Sequence, residues 1–170
     1  LYQFVGGDGK EITGKVGIEK QRFEDLLRRL VNVKAVTAEI AAIDFEKLAV
    51  TGLFEIILAG ALANRASDIH FEAGEEFARV RFRIDGLLQD VFDKLPVRNC
   101  APLISRVKLL SGLKINVRTE AQDGRFTIAL AGKEVEMRVS IIPSEFGETV
   151  VMRILDPDSI NIELKDLGLR

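Results

Sequence analysis

The stretch Gln122–Asp156, QDGRFTIALAGKEVEMRVSIIPSEFGETVVMRILD, reads as three strands in succession. In its middle part Val135, Met137, Val139 and Ile141 share one face, which leaves Glu136, Arg138 and Ser140 on the other. In the last part, Val150 to Leu155, both faces are apolar except at Arg153. An arginine alone on an apolar strand face is costly unless it is paired. Its partner is either a carboxylate of the fold or an anion from outside, a phosphate or an acidic protein. A guanidinium grips phosphate by its planar fork and keeps its charge, which suits anion sensing. Spacing leaves the internal salt bridge and the external anion equally open for Arg138 and Arg153.

Upstream of this stretch, strand and helix patterns alternate. Ser67–Glu72 is a short strand, and in Ala78–Ile84 the residues Val80, Phe82 and Ile84 alternate with Arg79, Arg81 and Arg83. Asp85-Gly86 is a strong hairpin signal, with Leu87–Phe92 as the return strand. A helix is expected from Asn99 as its cap to about Gly112, with Pro102 in the first turn, where a missing N–H costs nothing. Short turns between strands predict an antiparallel sheet with helices on one face, hence an α+β fold.

The first part of the chain is mainly helical. Phe23, Leu26, Leu27, Leu30 and Val31 recur at helical spacing within Ile18–Val31, among charged residues. A second helix is expected after Thr37 as N-cap, through Ile40, Ile43 and Leu48. A third, capped by Thr51, runs from Gly52 to about Arg65 with Leu53, Ile56, Ile57, Ala61 and Leu62 inward. Before them Tyr2–Val5 and Glu11–Thr13 read as a hairpin around Gly6-Gly7-Asp8-Gly9, with no Gly-Lys-Ser/Thr ending to make it a phosphate loop. Residues 1–50 are therefore read as a helical extension and 51–170 as the main domain. The tail after Asp156 offers Leu164, Leu167 and Leu169 for docking.

Composition narrows the function. The 170 residues are 47% hydrophobic and 29% charged, with a net charge of -2 and both signs interspersed, which argues against a broad nucleic-acid or anionic-membrane surface. No apolar run reaches the roughly 18 residues of a membrane helix. A single cysteine, Cys100, permits no internal disulfide and is read as inert. His70 shares a strand face with Asp68 and Glu72, but one histidine and two carboxylates on one strand are a thin basis for a metal site, and a structural role is preferred. Arg79, Arg81 and Arg83 lack the exposed aromatics of an RNA-binding sheet, so they are read as a solvent face bridged to acidic neighbours.

In chain order stand Ala66-Ser67-Asp68-Ile69-His70-Phe71-Glu72, Val80-Arg81-Phe82-Arg83-Ile84-Asp85-Gly86, Ile104-Ser105-Arg106-Val107-Lys108, Gln122-Asp123-Gly124-Arg125, Arg138-Val139-Ser140 and Gly147–Arg153. From about Thr51 to Arg170 the chain resembles the assembly ATPases of type II secretion and type IV pili. The resemblance implies a PAS-like α+β domain that precedes a RecA-like ATPase domain in a cytoplasmic, typically hexameric motor docked on an inner-membrane platform. It implies ATP and Mg²⁺ as ligands of the whole protein, and neighbouring subunits, the ATPase domain and the platform as partners. It makes Arg138 and Arg153 the phosphate-contacting residues of this domain, and leaves Arg79, Arg81, Arg83 and Arg125 as candidates for an interface.

The chain departs from the family pattern at Thr149, where a basic residue is usual, and at Asn116–Ala121. It reads as a piece of something longer, and without a Gly-x-x-x-x-Gly-Lys-Ser/Thr it is not expected to hydrolyse ATP alone. The alternative reading is a PAS-like sensor or adaptor whose arginine face meets an acidic protein, with no nucleotide role.

Overall fold

The computed structural model describes residues 11–12, 14–47, 50–130 and 133–155. Among these residues eight strands and four helices follow one another as β1 (Glu11–Ile12), β2 (Lys15–Gly17), α1 (Lys20–Arg29), α2 (Val33–Ala41), α3 (Val50–Ala63), β3 (Asp68–Glu72), β4 (Phe77–Ile84), β5 (Leu87–Pro96), α4 (Val97–Leu110), β6 (Gln122–Leu130), β7 (Lys133–Ser144) and β8 (Gly147–Ile154). The strands form one sheet in the order β1-β2-β6-β7-β8-β3-β4-β5. The fold is α+β, and Gln122–Ile154 supplies the three expected strands.

One pairing departs from the expected antiparallel sheet. β2 runs parallel to β6, with Val16 opposite Ile128, and Thr127 N–H donates to the Gly14 carbonyl at 2.9 Å. A parallel pair needs a long crossover, and here everything from α1 to residue 121 separates the two strands. The pieces expected at Tyr2–Val5 and Leu164–Leu169 lie outside the described residues.

The Asp85-Gly86 turn is as the dipeptide suggests. Both residues have positive φ, 52° and 79°, the twist that joins β4 to β5 without splaying them. Helix starts differ from expectation. Asn32, not Thr37, caps α2, its side chain accepting from Ala35 N–H at 2.8 Å. Thr37 lies inside that helix and donates to the Val91 carbonyl at 2.5 Å, tying α2 to β5. Thr51 lies inside α3. α4 starts directly after β5, so Asn99 falls in its first turn and donates to the Phe45 carbonyl at 3.1 Å. Pro102 is thereby one turn further in than expected, where its missing N–H leaves the carbonyl of Arg98 without its helical donor. Thr and Asn are good caps, but Thr37 and Asn99 here bond to other parts of the fold instead.

The core lies between the sheet and the helices. Ile69, Phe71, Val80, Phe82, Met137, Val139, Val150 and Met152 alternate along their strands on one buried face. α3 sits against that face, with Phe54 and Phe126 rings 6.1 Å apart. It was expected to bury one stripe, yet every residue from Ile56 to Ala63 is buried, as are Leu53 and Phe54. A helix apolar all round is a covered helix. Its far side is covered by α1 and α2, with Gly60 close under Val36 and Arg22 reaching Glu55 at 2.8 Å. Residues of α1 and α2 therefore share one hydrophobic cluster with the sheet.

Candidate functional site

The sheet face away from the helices is polar, and its strand register organises it into rows. One row crosses five strands: Arg125 on β6 opposes Arg138 on β7, which opposes Arg153 on β8. Arg153 opposes Asp68 on β3, and Asp68 opposes Arg83 on β4. Like charges at directly opposed positions destabilise a sheet, so three adjacent arginines work against the fold unless something negative meets them.

Part of that negative charge is internal. Arg153 Nε donates to Asp68 Oδ1 at 2.8 Å, and this hydrogen bond, aided by the charge of Asp68, raises the arginine's pKa further. Asp68 is buried, yet the Arg153 side chain is 66% exposed. Arg138 Nε donates to Glu136 Oε2 at 2.7 Å on its own strand and is 58% exposed. In both pairs the carboxylate takes Nε. Among the described residues the terminal nitrogens of these two side chains make no hydrogen bond, and Arg125 has no ion pair. Among these residues only Nε of each guanidinium is engaged. Arg138 and Arg153 line one shallow depression on this face, with Ser140, Asp123 and the Gly124 backbone beside them.

Spacing placed Arg153 on an apolar face. The structure instead opens that face to solvent, with Val151 and Leu155 only half-buried, and supplies Asp68 as the internal partner. Arg79, Arg81 and Arg83 lie on the same face two strands away. Arg79 and Arg81 each reach Glu72 at 2.8 Å, and Arg83 Nε lies 3.3 Å from Asp68 Oδ2. These are bridges to acidic residues of the adjacent strand.

His70 also lies here, its Nδ1 3.8 Å from Glu72. Burial lowers its pKa against the pull of the neighbouring carboxylates. Among the described residues no three His, Cys, Asp or Glu side chains are placed to hold a metal. Cys100 is buried in α4, and burial pushes its thiol up to about 11, so it is not a reactive thiolate.

Sequence reasoning overlooked a buried pair on the helix side. Lys108 Nζ lies 2.8 Å from Glu148 Oε2, an ion pair whose angle falls short of a hydrogen bond. Lys108 also donates to the carbonyls of Val117 at 2.9 Å and Ile115 at 3.4 Å, pinning the segment that leads into β6. The signal was present in the periodicity. Glu148 alternates with Val150, Met152 and Ile154, and Lys108 stands four residues after Ile104, so both fall on core faces.

The structure thus defines an α+β domain that carries opposed arginines on its open sheet face. Residues 45–170 match the family described as Type II/IV secretion system protein. The chain belongs to that family. It is 33% identical over 171 residues to the Type II secretion system ATPase E of Vibrio cholerae, covering 99% of this chain and 32% of the relative. It is 43% identical over 120 residues to the Type IV pilus assembly ATPase PilB of Myxococcus xanthus, covering 70% of this chain and 21% of the relative. With the Type II secretion system protein E of Klebsiella pneumoniae it shares 41% identity over 117 residues, 69% of this chain and 23% of the relative. The chain thus spans between a fifth and a third of the length of these relatives.

Proposed function

We propose that the chain is the nucleotide-sensing N-terminal part of a secretion or pilus assembly motor ATPase, with residues 51–170 as the sensing domain. In this reading ATP and Mg²⁺ are held by an ATPase domain of the whole protein. Arg138 and Arg153 reach the phosphates, and closure over nucleotide turns hydrolysis into rigid-body domain movement. The motor is a cytoplasmic homohexamer, joined to the inner membrane through a platform protein.

The carrying observation is that Arg138 and Arg153, opposed across β7 and β8, each give Nε to a carboxylate and line one open depression. That fits phosphate, which a guanidinium binds through two parallel N–H groups. Family membership supports the same reading.

The test is ATPase turnover of the full-length protein carrying Arg138→Ala or Arg153→Ala. Each substitution is expected to lower turnover by about 10²-fold or more, the scale at which removing one charge-stabilising donor acts, with circular dichroism unchanged. Wild-type turnover in both variants rejects the sensing role and favours an acidic protein as the partner of this face.

A further inference from the structure

We infer that Asp68 is a positioning residue for Arg153: its buried carboxylate holds Nε and aims the two terminal nitrogens away from the sheet, toward the anion. The inference rests on the sensing role proposed above. The carboxylate is fixed from its other side first. Oδ2 accepts from Ser67 Oγ at 3.1 Å and lies 3.3 Å from Arg83 Nε, which leaves Oδ1 for Arg153 Nε at 2.8 Å. Asp68 keeps only 3% of its side-chain surface, whereas Arg153 keeps 66%, so the anchor is rigid and the arm is exposed.

An untethered arginine would sample many rotamers and lose that freedom on meeting an anion. Arg153 has its plane set beforehand, and two arginines share one carboxylate, so the cluster keeps a net positive charge for the incoming group. Arg138 lacks an equivalent anchor. Its tether, Glu136, is itself 38% exposed and sits on the same strand. The two arginines are thus unequal, and Arg153 is the one whose aim is built into the fold.

The experiment is a double-mutant cycle on the full-length protein with Asp68→Asn, Arg153→Ala and both together, reading kcat and KM for ATP separately. Asp68→Asn is expected to lower kcat by about 10²-fold, as misplacement of a group by an ångström does, with KM changed little. The double variant is expected to be no slower than Arg153→Ala alone, because Asp68 acts through that residue. Asp68→Asn at wild-type kcat beside an impaired Arg153→Ala overturns the positioning role and leaves the sensing role standing. Losses that multiply in the double variant overturn it too. Arg153→Ala at wild-type kcat overturns the sensing role of Arg153, and the positioning role of Asp68 with it.

Should Asp68→Asn fail to fold, Asp68→Glu keeps the charge and moves the carboxylate by one methylene. It is expected to fold with reduced kcat, and wild-type kcat in that variant overturns the inference. Loss of a slowly exchanging Arg153 Nε–H signal in nitrogen-15 NMR of the 170-residue chain carrying Asp68→Asn is expected as well; an unchanged signal counts against the tether.

Discussion

Lys108 and Glu148 make a prediction whose size follows from their burial. Their side chains keep 2% and 7% of their surface, and Nζ lies 2.8 Å from Oε2. Replacing Glu148 by Gln leaves the ammonium buried with two carbonyls and no counter-charge, and Lys108→Met leaves a buried carboxylate alone. Removing one partner of such a pair costs about 3–5 kcal/mol, because the charge left behind keeps its desolvation penalty. Lys108→Met also frees the carbonyls of Ile115 and Val117, so it is expected to be the worse of the two. The pair Lys108→Met/Glu148→Gln removes both charges and keeps only the loss of the carbonyl contacts, on the order of 2 kcal/mol. The assay is urea unfolding of the four proteins, with thermal midpoints as a check. A 3 kcal/mol loss lowers the midpoint by about 6–12 °C in a chain of this size. Two singles each costing under about 1 kcal/mol, or a double variant as bad as their sum, would refute the claim that the buried charges hold one another.

Acid should loosen the open face in two stages. Burial holds His70 below 6.5, so the fold favours its neutral form; the stability this contributes is complete above about 6.5 and is lost as pH falls through the lowered value. Burial pushes Glu72 upward, but hydrogen bonds from Arg81 and Arg79 outweigh it and hold the carboxyl below 4.5; its contribution is lost only further down. Urea midpoints across pH 7 to 3 are expected to decline in both segments, and His70→Gln to flatten the upper one only; an unaltered upper decline would contradict this. Gly124→Ala is expected to destabilise by about 1–3 kcal/mol, since a Cβ there would meet the Ser111 carbonyl at 2.7 Å. A urea midpoint equal to wild type would show that the 111–121 segment gives way.

The parts of the fold legible beforehand were those with a local period. Val80, Phe82 and Ile84 alternate, Asp85-Gly86 demands positive φ, and Phe23, Leu26 and Leu27 repeat with a helix, so β4, the hairpin and α1 were readable from neighbours alone. Helix starts were not. Thr37, Thr51 and Asn99 have the chemistry of caps, but Thr37 and Asn99 bond to β5 and to the segment after α2, partners distant in the chain. The wrap of α3 was equally hidden, because one helix cannot reveal how many neighbours will cover it.

Arg138 and Arg153 were visible as arginines that need partners, because alternation on one strand is local and a bare guanidinium on it stands out. Strand register decided the rest. Only pairing between β6, β7, β8, β3 and β4 sets Arg125, Arg138, Arg153, Asp68 and Arg83 side by side. Asp68 and Arg153 are 85 residues apart in the chain yet bonded at 2.8 Å. Sequence determines which side chains share a face of one strand; which strand lies beside it is settled by burying all the apolar faces at once, and that balance belongs to the whole chain.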